Sequence, residues 1–265
     1  MWCVGELNED YIAKMEDVLE VYERPYDPQE PVVCLDEKPV TLHADVRPAS
    51  PVKPGREARQ DNEYERRGTA IVFCAVEPKA GRHFTFATPD RSAIEFAKVA
   101  FDLALQYPAA TTIHLILDNL NIHRRKSLTD LLGDEIGTEV WNRFTVHYTP
   151  THGSWLNQAE IEIGIMSRQC LGSRRIPDLP TLHRETRAWN RRMNSARVKI
   201  KWTFDRKAAR RKFGYKRKSS TRSETAKSGR SSFTRLVGFS SFMVPPAFAA
   251  DVKPATSSPM PLLSI

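Results

Sequence analysis

At 265 residues, with 40% hydrophobic and 27% charged side chains, the chain has material for one well-buried domain of roughly 150 to 200 residues plus appendages. It contains no run of 18 or more apolar residues, which excludes a hydropathic membrane span. Its four cysteines have no C-x-x-C spacing, which excludes the usual zinc ribbon and points to a reduced, cytosolic protein without structural disulfides. The net charge of +8 is uneven: residues 166–218 hold 18 Lys and Arg against three acids, a local +15, leaving the remainder at −7.

The first predicted element is a helix over 10–24, where Tyr11, Ile12, Met15, Val18, Leu19 and Tyr22 recur at helical spacing after a capping Asn8 or Asp10. A strand at 32–35 follows and delivers Asp36. Residues 44–67, with three prolines and many charges, read as a long exposed connection. Alternating runs at 69–76 and 83–88 form a hairpin. Then come a helix over 91–107, a strand at 113–117, a helix over 124–132, a strand within 140–148 and a helix carrying Glu160. Strands first and crossover units later predict an α/β fold with a mixed sheet flanked by helices. Residues 219–265, rich in Ser, Thr, Pro and Ala without periodicity, read as a disordered tail.

Asp36 and Asp118 each close a short apolar run, Val-Val-Cys-Leu-Asp and His-Leu-Ile-Leu-Asp, and Glu160 follows Ser-Trp-Leu-Asn-Gln-Ala. If the strands lie side by side, these carboxylates meet at one sheet edge, where they repel one another unless a divalent cation holds them. Local readings compete: a turn for Asp36, and for Asp118 an Asx turn capping the next helix. Glu37 falls on the opposite face of the strand from Asp36, and Glu162 is rotated by about 200° from Glu160 on a helix, so only one of those two glutamates faces the site. Turn chemistry accounts for His152 and Ser154, the latter as a helix N-cap. The chain has no G-x-S-x-G elbow, no G-x-x-x-x-G-K-[ST] and no G-x-G-x-x-G, against serine hydrolysis and nucleotide-fuelled chemistry. The basic segment is interleaved with Trp189, Trp202, Phe204, Phe213 and Tyr215, the pattern of a folded binder of phosphate backbone.

Cys-Leu-Asp-Glu-Lys-Pro ending at Pro39, Leu-Asp-Asn-Leu-Asn-Ile-His ending at His123, and Tyr-Thr-Pro-Thr-His-Gly-Ser-Trp-Leu-Asn-Gln-Ala-Glu ending at Glu160 resemble the three catalytic blocks of bacterial insertion-sequence transposases in the mariner-type branch of the DDE superfamily. The likeness runs from about Asn8 to about Tyr215. The 42 positions from Asp118 to Glu160 slightly exceed the usual spacing, with the excess expected within 131–141.

This resemblance implies a ribonuclease-H-like catalytic domain over 31–175. Before it stands an N-terminal helix and linker over 1–30, the remnant of a lost DNA-binding domain, and after it a basic helical segment over 176–218. It implies that Asp36, Asp118 and Glu160 bind two Mg²⁺ or Mn²⁺ for DNA cleavage and strand transfer, and that Asn119, Asn121, His123, His152 and Asn157 line the cleft. Arg174, Arg175, Arg187, Arg191, Arg192, Lys201, Arg210, Arg211 and Lys212 are the expected DNA contacts, with Arg47, Lys53, Arg56, Arg59, Arg66 and Arg67 as additions. The expected partners are element ends and target DNA, with a second copy or a partner transposase fragment, in a bacterial cytoplasm near the nucleoid. Two alternatives stay open: a truncated, inert copy that only binds DNA or transposase, and a ribonuclease-H-like nuclease or resolvase.

Overall fold

The computed structural model describes residues 7–216, all within one compact unit, Met1–Arg217; the tail expected over 219–265 lies outside the described residues. Five strands, β1 (Val32–Asp45), β2 (Tyr64–Glu77), β3 (Arg82–Thr88), β4 (Ile113–Leu117) and β5 (Phe144–Tyr148), make one sheet in the order β3-β2-β1-β4-β5. The first three run antiparallel, and β4 and β5 add in parallel to β1. With helices on both faces, this is the expected ribonuclease-H-like arrangement.

The apolar pattern explains the layers. Val33, Leu35, Phe73, Ala75, Leu115 and Leu117 alternate onto one face and pack with α2 (Ala93–Leu105) and α3 (Arg125–Leu132). Cys34, Val76 and Ile116 point to the other face and meet Met15, Leu19 and Tyr22 of α1 (Glu9–Glu23). Farther along that face Val40, Val72 and Cys74 meet α5 (Ala159–Met166) and α6 (Leu179–Ala196). Central strands covered on both sides read as continuous apolar runs, and β4 is buried at every residue.

Three details depart from the sequence reading. β1 does not stop at Asp36 but runs on to Asp45, paired with β2 throughout, so the connection shrinks to 46–63. Pairing with β4 ends at Cys34, which leaves one edge of β1 open where Pro39 is tolerated. Second, residues 131–141 hold an extra helix, α4 (Asp134–Trp141). Third, α1 is a wall of the core, tied to the loop ahead of α5 by Tyr22 Oη donating to the Leu156 carbonyl at 2.8 Å. The cysteines Cys34, Cys74 and Cys170 are free and buried, and among the described residues no helix is long and apolar enough to cross a membrane.

Caps set the helix starts. Asn8 accepts from Tyr11 N–H, Ser92 from Glu95 N–H, Asp178 from Thr181 N–H and Asp205 from Ala208 N–H. Helices α3 and α4 touch at Gly137, where an added Cβ would sit 2.6 Å from the Thr129 backbone. Gly137→Ala should therefore destabilise by about 1–3 kcal/mol through overpacking, despite alanine's better helix propensity, and urea midpoints will read the loss. Helix α7 (Arg206–Phe213) docks on α1 through charge: Arg210 Nε lies 2.8 Å from Glu16 Oε1, Tyr215 Oη donates to the same carboxylate at 2.7 Å, and Arg206 reaches Glu20 and Glu23 at 2.8 Å each.

Candidate active site

β1 and β4 pair in parallel with Val32 opposite His114, Val33 opposite Leu115 and Cys34 opposite Ile116. The pairing stops there; two residues on, Asp36 lies within β1 on the face carrying Cys34, and Asp118 directly follows β4, close enough for its charge to act on Asp36. The Asx turn expected for Asp118 forms, with Leu120 N–H donating to Oδ1 at 3.1 Å. It does not cap α3, whose start at Arg124 has no side-chain cap.

Glu160 arrives from the other side. A short 3-10 turn, Ser154–Leu156, precedes α5, and buried Asn157 anchors the junction by donating from Nδ2 to the Leu35 carbonyl at 2.8 Å while its Oδ1 accepts from Ala159 N–H. That bond fixes α5 against the residue just before Asp36. Ser154 opens the turn without capping α5, in contrast to the expected N-cap. Of the competing glutamates, Glu160 is exposed and Glu162 is buried against His83.

The electrostatics report the convergence. Burial pushes the Asp36 carboxyl up, and the charges of Glu37, Asp118 and Glu160 add to it, bringing it to about 7 against the opposing bond from Glu37 N–H. Asp118 behaves oppositely: burial works against its ionised form, yet the bond from His123 and the Leu120 N–H hold it below the usual carboxylate range. His123 answers in kind, with burial opposing its charge while Asp118 and Glu37 raise it to about 9.

Among the described residues, no three His, Cys, Asp or Glu side chains already stand as a metal nest. The donor chemistry nevertheless fits a hard divalent cation: three carboxylates, with the charges of Asp118 and Glu160 adding to the burial that raises Asp36, and two of them bonded only through Oδ1 among the described residues. A cation there relieves that repulsion.

The other expected residues fall in different places. Asn119 and Asn121 are exposed after β4, with Asn119 Nδ2 donating to the Thr149 carbonyl and Asn121 accepting from Arg124. His152 is exposed in a positive-φ turn. His123 and Asn157 are buried, so they brace the site from behind. Glu37 was passed over in the sequence as facing the wrong way; the strand does turn it away from Asp36, and it bonds His123 instead. Beside Glu160 lies a cavity of about 480 Å³ lined by Trp155, Ile161, Trp202, Phe204, Lys212 and Phe213.

Several expected DNA contacts are engaged internally. Arg174 pairs with Glu185, Arg175 with Asp45 at 2.7 Å and with the carbonyls of residues 61–63, and Arg210 with Glu16. Arg192 bonds Gln169, and Lys212 lies 5.7 Å from the rings of Phe204 and Phe213. Arg187, Arg191, Lys201 and Arg211 are exposed.

The five-stranded mixed sheet in the order β3-β2-β1-β4-β5, flanked by helices, defines a ribonuclease-H-like α/β protein. More narrowly, residues 31–183 match the sequence profile of the DDE superfamily endonucleases, and the chain belongs to that family. Among solved structures it is similar to the Mos1 mariner paired end complex with Mn (16% identity, TM-score 0.47, covering 75% of this chain and 62% of that one). It is similar as well to the Mos1 transposase paired-end complex with left transposon end (17% identity, TM-score 0.49, 75% and 61%). The chain thus spans less than two thirds of those relatives. Among curated proteins none matches.

Proposed function

We propose that the chain is the catalytic core of a DNA transposase, hydrolysing phosphodiester bonds at element ends and joining the freed 3′-OH to target DNA. The observation that supports this reading is that the charges of Asp118 and Glu160 both reach Asp36, just beyond the last β1–β4 pair, Cys34 with Ile116, in a chain of the DDE endonuclease family. Asp36, Asp118 and Glu160 would hold two Mg²⁺ or Mn²⁺. When bound, such ions lower the pKa of an attacking water or 3′-hydroxyl and stabilise the departing 3′ oxygen. Asn157 keeps α5 against β1, which sets the reach of Glu160. The exposed cations of α6 and α7 bind backbone phosphate, positioning DNA without reading its sequence. A partner or second copy would complete recognition of the element ends.

The test is nicking of supercoiled DNA by the purified chain with Mg²⁺ or Mn²⁺, against EDTA. Metal-dependent nicks support the reading; a folded chain that binds DNA and never cuts overturns it in favour of a binding-only protein. On α6, Arg184, Arg187 and Arg191 share one exposed stripe. Arg187→Ala combined with Arg191→Ala should weaken DNA binding and reduce the slope of log affinity against log salt by about 2, near 0.9 per lost phosphate contact, as fluorescence anisotropy across a salt series will show.

A further inference from the structure

Glu37 and His123 are buried titratable groups that the proposed chemistry does not use. Alternation along β1 turns Glu37 to the face opposite Asp36, where its side chain is 3% exposed, and the His123 side chain is 0% exposed. Glu37 Oε1 stands 2.7 Å from His123 Nε2, and His123 Nδ1 stands 2.8 Å from Asp118 Oδ1. A carboxylate oxygen thus stands within hydrogen-bond distance of each ring nitrogen. The ring is held from two further directions: Phe96 of α2 packs on it with centroids 4.7 Å apart, and Tyr148 Oη donates to the His123 carbonyl at 2.6 Å.

Burying an acid and an imidazole in an apolar layer is costly unless each is paired, and an apolar pair would fill the same space without that cost. What the polar chain adds is orientation. Asp118 Oδ1 receives donors from both His123 and Leu120, so its carboxylate cannot rotate freely, and Oδ2 is left without a partner among the described residues. We infer that Glu37 is a positioning residue which, through His123, locks the Asp118 carboxylate so that Oδ2 is presented to a divalent cation. The inference rests on Asp118 being a metal ligand. It gives the Asp-Glu pair at 36–37 two separate duties on the two faces of one strand: one acid at the site, the other behind it.

Outer partners of metal ligands typically change metal affinity by about 10- to 100-fold, which sets the expected size of the effect. The experiment is Mn²⁺ titration of the whole chain followed by the electron paramagnetic resonance of free Mn²⁺, with thermal unfolding in parallel. Glu37→Gln keeps the shape of the side chain and removes its charge; it should raise the Mn²⁺ Kd by about 10-fold, and Glu37→Ala by up to about 100-fold. In a His123→Asn background, which keeps a donor near Asp118 but cannot reach Glu37, Glu37→Gln should add less than about 2-fold, because the chain is already cut. Unchanged Kd in both Glu37 variants, with the wild-type chain binding Mn²⁺, overturns the inference. So does a full effect of Glu37→Gln in the His123→Asn background, which would make Glu37 a direct ligand. Absence of Mn²⁺ binding by the wild-type chain would instead sink the metal reading of the site, and this inference with it.

Discussion

Asp118→Asn should lower metal-dependent DNA cleavage by about 1,000-fold or more while leaving DNA affinity intact. The substitution keeps the size of the side chain and its Oδ1 acceptor for Leu120 N–H, so the turn after β4 survives. What it removes is the ionised carboxylate that His123 and Leu120 hold below the usual range. Metal stabilisation of a phosphoryl transfer is worth several kcal/mol, and each 1.4 kcal/mol is tenfold in rate, which gives the expected size. Asp36→Asn should match it, because the charges of Asp118 and Glu160 both reach Asp36. Asp130→Asn, an exposed α3 acid paired with Lys126, serves as the control and should cut like the wild type. Nicking rates beside anisotropy measured in Ca²⁺ separate loss of chemistry from loss of binding. A variant that still cuts within tenfold of wild type would remove Asp118 from the catalytic set.

His83→Ala should destabilise the fold by about 3–5 kcal/mol, the usual cost of removing one partner of a buried His–carboxylate pair. His83 Nδ1 sits 2.7 Å from Glu162 Oε1 with both side chains essentially sealed, and His83 Nε2 reaches the Val198 carbonyl at 2.8 Å. Glu162 Oε2 is already buried without a partner among the described residues, so losing His83 leaves the whole carboxylate stranded. Asn194 adds to the clasp by bonding both the N–H and the carbonyl of His83. The pair therefore ties β3 to α5 and to the end of α6. For a domain with total stability of about 5–15 kcal/mol, the change is a large fraction, and urea unfolding will show it. Replacing both partners, His83→Phe with Glu162→Leu, should recover most of the loss, because no charge is then left buried. A double variant as unstable as His83→Ala would contradict the account.

Much of this arrangement was legible in the sequence because its signals are local. Apolar runs ahead of an acid marked β1 and β4, which pair in parallel up to Cys34 and Ile116, two residues before Asp36 and Asp118. Helical rotation separated Glu160 from Glu162. The length of β1 is not local: past Asp36, Val40, Leu42 and Ala44 carry the alternation onward, and the open edge beyond Cys34 accommodates Pro39. The bond between Glu37 and His123 spans 86 residues, and nothing local announces it beyond an acid facing the core. The same holds for the basic segment. Arg175 and Arg210 look free for DNA in a charge count, yet their carboxylate partners lie 130 and 194 residues away. Charge runs give the field of a segment, and only the fold decides which cations remain at the surface.

Anomalous diffraction from crystals of the chain grown with Mn²⁺ reads out whether Asp36, Asp118 and Glu160 together hold divalent metal. The expected result is anomalous density about 2.0–2.2 Å from the Asp36 and Asp118 carboxylates, close to the ligand distances of small hard cations, with Glu160 drawn in from α5. Manganese bound only elsewhere, with Asp36 and Asp118 unligated at saturating metal, would contradict it.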